Sequence, residues 1–343
     1  MQANPVIVKE LRGRMRGWRA AVVLAIYLVI LSGITWLVYS ATRNAGDSLG
    51  SPQGSQVGKG IFFTLVGFQT VMVSLLTPAF TAGSITSEKE QKTYDLLMTT
   101  LLSARSIIFG KLGSALAYVV LLILAVAPIE SLAFMFGGVS PEEIILSQVV
   151  MVAAAILFAS VGIFWSSVMR SSIMSNVLTY GTMIFQMLIL PFIWMMSASG
   201  MFFRYDPAGP STSFYYLSGT VLSSNPLIAM TLTEWRLTEG DPLFIYTNTT
   251  IANGKTLLVV SPWLLFCIEA LLISAVLILL SIRNVQPVRY SSFRRRAAYA
   301  IPGEMPADYT EEEAPVKSEP QPPGTPEAPP IVPSSQPDES QSR

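Results

Sequence analysis

The chain has 343 residues, of which 51% are hydrophobic and only 13% are charged, with a mean hydropathy of +0.50 and no formal net charge. A soluble domain usually carries about a quarter charged residues, so this deficit indicates a membrane protein. Histidine is absent and Cys267 is the single cysteine. These counts exclude an intrachain disulfide, a His/Cys metal site and a Ser-His-Asp or Cys-His catalytic group.

Before the first long apolar stretch, residues 4–19 have the pattern of an amphipathic helix with one apolar and one basic face. The predicted interfacial helix has its key residues at helical spacing: Ile7, Leu11, Arg12, Met15, Arg16 and Trp18. An apolar stripe beside a basic face is typical of a helix that lies along the membrane surface. A second interpretation, which does not exclude the first, is a basic anchor that only sets the membrane topology.

Six apolar stretches are long enough to cross a bilayer, which takes about 20 consecutive apolar residues. They are Ala20–Ala41, Ile61–Ile85, Ile107–Phe136, Ile144–Met169, Ile173–Met196 and Leu257–Ile282. The predicted fold is therefore an all-α polytopic membrane protein whose transmembrane domain covers residues 1–290. Residues 291–343 form a basic juxtamembrane cluster and a Pro/Glu-rich tail, which we expect to be disordered because it cannot bury enough apolar surface.

Lysine and arginine distribute unevenly over the loops between these stretches. Fifteen lie before span one, between spans two and three, after span four or just after span six, against five in the remaining loops. The positive-inside rule predicts that both termini and the loop after span two are cytoplasmic. The segment 197–256 is then extracytoplasmic, and we expect a small packed cap or a re-entrant turn around SSNPLIAM.

The loop between spans two and three is charged at its start and apolar afterwards. Ser87 and Glu90 match an S-x-x-E capping box, and Tyr94, Leu97, Met98 and Leu101 follow at helical spacing. This pattern predicts a short cytoplasmic helix with an apolar face that fits a groove in a soluble partner. The alternative is a plain surface helix that covers the ends of its neighbours.

No nucleotide-binding loop is recognisable. GKT at Gly254–Thr256 and GKG at Gly58–Gly60 both lack the earlier glycine of G-x-x-x-x-G-K-[ST]. No set of residues typical of an enzyme is present either, so we expect no catalytic residue, metal or cofactor in this chain.

Ionisable residues inside the predicted spans are costly in lipid and are therefore candidates for the translocation path. Two stand out, Glu130 in span three and Glu269 in span six. The alternative is that both are structural acids hydrogen-bonded to neighbouring helices. Weaker candidates, more typical of inter-helix hydrogen bonds, are Gln69, Asn176 and Gln186.

The segment PAFTAGSITSEKEQKTYDLLMTTLLSARSIIFGKL, Pro78–Leu112, resembles a motif of the permease subunits of type-2 ATP-binding cassette (ABC) exporters. NPVIVKELR, FGGVSPEE, SPWLLF and R-x-V-x-P extend the resemblance, in order, over residues 1–290. Two residues depart from the family pattern. Leu101 stands where proline is common, and Lys92 stands where a small residue is usual.

The resemblance implies an efflux permease in which the coupling helix contacts a separate ATPase. Its residues would be Ser87, Glu88, Glu90, Thr93, Tyr94, Leu97, Met98 and Leu101. ATP and Mg would bind in that partner, and a second permease chain, identical or related, would complete the pathway. It also implies the bacterial cytoplasmic membrane as the location, lipid as a further partner and no nucleic acid. The alternatives from other classes are a stand-alone ion-coupled transporter and a membrane anchor for an ATPase-driven surface machine.

Overall fold

The computed structural model describes residues 18–49, 54–94, 103–202, 212–248 and 257–285. The first helices are α1 (Trp18–Leu49), α2 (Gly54–Thr81), α3 (Thr86–Glu90), α4 (Ala104–Phe136) and α5 (Pro141–Val168). Then come α6 (Ser172–Ile184), a π-helical turn (Phe185–Ile189) and α7 (Leu190–Phe202). The last elements are α8 (Thr212–Ser223), α9 (Pro226–Glu239), β1 (Ile245–Asn248), β2 (Leu257–Val260) and α10 (Pro262–Val285).

Six helices in the described residues are long and apolar enough to span a membrane, which confirms the predicted number and the all-α class. They are Ala21–Arg43, Val57–Glu90, Ala104–Phe136, Pro141–Val168, Ser172–Ala198 and Pro262–Val285. The predicted start of span six at Leu257 is wrong. Residues Leu257–Val260 instead pair antiparallel with Ile245–Asn248, and the helix starts only at Pro262, where proline fits the first helical turn.

A tight turn joins spans three and four. Gly137 and Gly138 both have a φ of 85°, a conformation that glycine adopts without steric cost. Ser140 and Glu143 then form a reciprocal capping box at the start of α5, with Pro141 in the first turn. The turn fixes the two spans as antiparallel neighbours.

Helix α5 is the centre of the bundle, where it packs against α2, α4, α6 and α10. Its side chains Met151, Leu157 and Phe158 are fully buried. At Gly162 the helix comes so close to α2 that an added Cβ would collide with the Thr81 hydroxyl. Small residues permit such close contact between membrane helices, which relies on van der Waals packing.

The helices α8 and α9 form a hairpin that reaches back among the spans. Asn225 is buried in the turn and caps α9 by accepting hydrogen bonds from the Leu227 and Ile228 amides at 2.9 and 3.4 Å. Its Nδ2 donates to the Met187 carbonyl, 2.7 Å away, and Gln186 Nε2 donates to the Ser224 carbonyl at 3.0 Å. The turn therefore contacts the π-helical turn in the middle of span five.

Candidate functional site

The short helix α3 follows span two and is held by the end of span four. The Ser166 hydroxyl accepts hydrogen bonds from the amides of Ile85 and Thr86 at 2.9 and 3.1 Å. The predicted capping box of Ser87 and Glu90 is wrong, because α3 starts one residue earlier and has no side-chain cap of its own. A serine from another span thus satisfies amides that the first turn of a helix leaves free.

Glu90 caps a different helix from the one predicted. Its carboxylate accepts hydrogen bonds from the Ser172 amide at 2.7 Å and from the Ser172 hydroxyl at 2.8 Å. Ser172 is the first residue of α6, where a carboxylate is favoured by the free amides and by the positive end of the helix dipole. Glu90 therefore joins α3 to span five.

Lys89 binds the opposite kind of helix end. Its ammonium donates to the carbonyls of Ser166, Ser167 and Met169 at 3.2, 2.6 and 2.8 Å. These are the last carbonyls of α5 and its C-cap, which lack partners within the helix and attract a cation. Lys89 therefore joins α3 to span four.

Glu88 and Lys111, which stand 23 residues apart in the motif, form an ion pair. The Glu88 Oε1 to Lys111 Nζ distance is 2.8 Å, and Lys111 also donates to the Ser84 carbonyl at 2.8 Å. The Lys111 side chain is only 4% exposed and that of Glu88 is 25% exposed. A pair this shielded is costly to break from one side, because the remaining charge stays buried.

The chain turns sharply after α3, which contradicts the predicted continuous helix from Ser87 to Leu101. The helix ends at Glu90, and Lys92 has a φ of 56°. The Thr93 amide donates to the Glu88 carbonyl at 3.0 Å and closes the turn. The left-handed conformation favours residues without a Cβ, so Lys92 carries a local steric cost at this turn.

Beyond the turn, Tyr94 packs against the small buried cluster that contains Ile85 and Ile108. The remaining predicted coupling residues, Leu97, Met98 and Leu101, lie outside the described residues. The same holds for Ile7, Leu11, Arg12, Met15 and Arg16 of the interfacial helix. Trp18 begins α1 and is 79% exposed.

A cavity of about 300 Å³ lies beside α3, between Phe80, Ser84, Ser87, Glu88 and Lys111. The Ser84 hydroxyl and Glu88 Oε2 are buried without a hydrogen-bond partner among the described residues. We call α3, its three charged side chains and their partners on α4, α5 and α6 the α3 junction. The junction joins one short helix to three spans and keeps polar atoms free beside it.

The two carboxyls predicted for the translocation path lie in different surroundings. Glu130 is completely buried on α4 and accepts a hydrogen bond at 2.5 Å from Gln148 on α5. Glu130 Oε1 and Gln148 Oε1 have no partner in the part of the chain that the structure describes. Glu269 is half-buried on α10, and no hydrogen bond or ion pair joins it to Glu130 among the described residues.

The weaker polar candidates make the hydrogen bonds expected of them in two of three cases. Gln69 donates to the Ile123 carbonyl of α4, and Gln186 donates to the Ser224 carbonyl. Asn176 instead donates to the Ser172 carbonyl of its own helix.

Sequence reasoning missed Ser166 and Ser172 as functional candidates. Both lie in the short polar segment between spans four and five, to which the sequence analysis assigns no function. The available signal is the concentration of five serines between Trp165 and Asn176, which is unusual where two spans meet. Serines supply caps at helix ends, and here they cap or are capped by residues of α3.

A bundle of six apolar spans, with a charged junction at the end of one of them, defines a multi-pass membrane protein. The sequence pattern of the ABC-2 family transporter proteins matches residues 5–272. The chain belongs to this family and is a membrane permease of an ABC transporter, a class that works with an ATP-binding subunit. No curated protein sequence matches the chain.

Proposed function

We propose that the chain is the permease subunit of an ABC exporter and that it couples the translocation path to ATP hydrolysis in a separate subunit. The observation that carries this proposal is the α3 junction. Three successive charged residues, Glu88, Lys89 and Glu90, each bind a different span. A force on α3 therefore acts on spans three, four and five together.

The ATP-binding subunit docks on the exposed side of the segment from Ser87 to Leu101. Glu88 and Lys89, which are partly buried, and the exposed Glu90 bond to the spans and hold the segment, whereas Thr93, Leu97, Met98 and the turn at Gln91 supply the docking surface. Closure of two ATPase subunits around ATP and Mg then displaces α3, and the junction rocks the attached spans. In this scheme hydrolysis takes place in the partner and this chain carries no catalytic residue.

The distribution of basic residues supports a cytoplasmic position for both termini and for α3 in the cytoplasmic membrane of a bacterium. The interfacial helix predicted for Ile7, Leu11, Arg12, Met15, Arg16 and Trp18 would then share the cytoplasmic side with α3. The tail, residues 291–343, would also be cytoplasmic.

A second permease chain, identical or related, completes the pathway, and Glu130 and Glu269 lie along it. The support for Glu269 is that a half-buried carboxyl at this depth cannot face hydrocarbon without a large cost. The support for Glu130 is the free oxygen beside Gln148.

Photo-crosslinking in native membranes tests the docking surface. A photoreactive amino acid at Gln91, which is exposed next to α3, should crosslink to a soluble protein with a complete P-loop. The same amino acid at Ser197, exposed at the other end of span five, is the matched control and should give no such product. Equal crosslinking at both positions, or none at Gln91, would refute the assignment.

One observation favours a second function, an ion-coupled transporter that acts alone. Glu130 and Gln148 leave two oxygens without a partner among the described residues, as a proton or cation site would. A chain that transports in proteoliposomes without an ATPase would establish this function. A chain that binds the ATPase and moves nothing would be a membrane anchor.

A further inference from the structure

A second cavity lies at the opposite end of the bundle from α3 and takes no part in the proposed function. Its volume is about 330 Å³, and it lies between α8, α9, β2 and the start of α10. Its wall is mostly apolar and includes Phe214, Leu222, Leu232, Val259 and Leu265. Its size is at the lower end of small-molecule sites, and its walls are apolar, so it suits a hydrocarbon group better than water.

The apolar wall also contains polar groups, among them those of Tyr215, Ser223, Arg236 and Tyr246. The Ser223 hydroxyl is buried and has no hydrogen-bond partner among the described residues. Tyr215 and Tyr246 each supply a hydroxyl, and burial raises the pKa of Tyr246 to about 12, so it stays neutral. Among the described lining residues, Arg236 is the one cation, and it lies 4.7 Å from the Tyr246 ring.

Arg236 retains donors for a further anion. Its Nη1 lies 3.5 Å from Asp241 and 3.7 Å from Glu239, longer than the 2.7–2.9 Å of a strong charge-assisted hydrogen bond. Among the described residues, its side-chain hydrogen bonds use Nη1 alone. The remaining guanidinium nitrogens therefore suit a phosphate, although the two carboxylates reduce its net attraction.

An exposed apolar stripe on α10 begins at the cavity. Leu265 lines it, and Ile268 and Leu272 follow on the same side of α10, 47% and 63% exposed. These positions are three and four residues apart, so they form one apolar stripe along the helix. In a membrane, that stripe provides a path for a lipid chain from the bilayer into the cavity.

We propose that this cavity binds one acyl chain of an anionic membrane phospholipid, with the lipid phosphate at Arg236. The apolar walls, the stripe on α10 and the positive charge at the rim all match that one occupant. Lipid bound here would hold α8 and α9 against α10. The proposal does not depend on the function proposed for α3.

Gly219 offers a way to fill the cavity without disturbing the fold. It lies in the wall on α8, and a Cβ built there meets no atom within 4 Å. Gly219→Leu should therefore occupy the cavity while improving helix propensity. Gly181→Leu is the matched control, because Gly181 is exposed on span five and also has open space at its Cβ.

The full chain is reconstituted in phosphatidylcholine vesicles with a phosphatidylglycerol probe that carries a diazirine near the end of one acyl chain. We expect the probe to crosslink to α8 and to the start of α10 in the wild type and in Gly181→Leu. In Gly219→Leu this product should fall about tenfold, the change that a loss of 1.4 kcal/mol in binding produces. Unchanged crosslinking in Gly219→Leu overturns the proposal.

Arg236→Gln tests the contact with the lipid headgroup independently of the contact with the acyl chain. It should reduce crosslinking by phosphatidylglycerol to the level of an otherwise identical phosphatidylcholine probe, and leave the weaker zwitterionic product unchanged. If the two probes label the wild type equally, the assignment of an anionic lipid is wrong. Products spread evenly over the other spans would contradict a defined site.

Discussion

Single charged residues determine what α3 is connected to. Lys89 and Glu90 are adjacent in sequence, yet one binds the carbonyl end of α5 and the other the amide end of α6. The C-terminus of α5 and the N-terminus of α6 meet at residues 169–172. The Lys89 cation therefore lies at the negative end of one helix dipole, and the Glu90 anion lies at the positive end of the other. This arrangement fixes the turn between spans four and five against α3.

Replacing Lys89 tests this connection. We expect Lys89→Met to lower the stability of the detergent-solubilised chain by about 1–2 kcal/mol. Lys89 is only half-buried, so its hydrogen bonds should contribute at the low end of the range usual for charged groups. Thermal unfolding measures the effect. Lys92→Met is the matched control, because Lys92 is exposed, and an equal loss in both variants would show that Lys89 has no special role.

Glu234 on α9 makes the stability depend on pH. Its side chain is buried, with Lys59 and Glu143 as the charged groups that act on it from α2 and α5. Burial, and to a lesser degree Glu143, raises the pKa of Glu234 to about 7, while Lys59 opposes the shift. The folded chain then binds a proton that the unfolded chain has already lost, so stability falls as pH rises from about 4.5 to about 7.

We therefore expect Glu234→Gln to raise the melting temperature at about pH 8 and to change it little at about pH 5. Thermal unfolding at the two pH values measures this difference. Glu239→Gln, exposed on the same helix, should show no comparable change. A gain for Glu234→Gln at low pH only would contradict a pKa raised by burial.

At the scale of elements, the contact between α2 and α5 depends on one glycine. Gly162→Ala should destabilise the chain by about 1–3 kcal/mol, because the new methyl group has no room beside Thr81. Gly67→Ala on α2 is the control. A Cβ there meets nothing within 4 Å, so this variant should gain about 1 kcal/mol from helix propensity.

Thermal unfolding of both alanine variants in one detergent compares them directly. A melting temperature of Gly162→Ala equal to or above that of the wild type would show that α2 and α5 separate easily at Gly162. That outcome would contradict a close contact in the centre of the bundle.

The hairpin of α8 and α9 is joined to span five by one side chain with two roles. Asn225→Asp keeps the oxygen that caps α9 but loses the Nδ2 donor to the Met187 carbonyl. Above neutral pH we expect a loss of about 1–3 kcal/mol, the usual cost of an unsatisfied buried polar group. Asn225→Ala should lose about 1 kcal/mol more, because the cap is then absent as well.

Thermal unfolding separates the two roles of Asn225. If Asn225→Asp is as stable as the wild type, only the cap matters. The π-helical turn would then hold its free carbonyl without this partner.

The sequence predicts the spans well and the α3 junction poorly, for a physical reason. Apolar length is local, so six spans are recognisable and five keep their predicted position within a few residues. The partners of Ser166, Ser172 and Lys111 are set by how distant helix ends meet, which a local pattern such as Ser87 to Glu90 does not contain. The motif Pro78–Leu112 contains both Glu88 and Lys111, but its pattern does not predict that the two form an ion pair.

At the scale of the whole molecule, the two ends of the bundle have different structures. The α3 junction joins spans three, four and five through one ion pair and two charged helix caps. At the opposite end, α8, α9 and the two strands cover the start of span six. The proposed coupling to a separate ATPase relies on the first feature.

The most direct measurement is a pull-down of the tagged full chain from its native membrane in mild detergent, followed by an ATPase assay on the purified material. We expect a P-loop protein with ATPase activity to copurify, and to be lost when Leu97 and Met98 are both replaced by Asp while membrane insertion is unchanged. A chain that purifies alone, or a double variant that retains the ATPase and its activity, would contradict coupling through this segment.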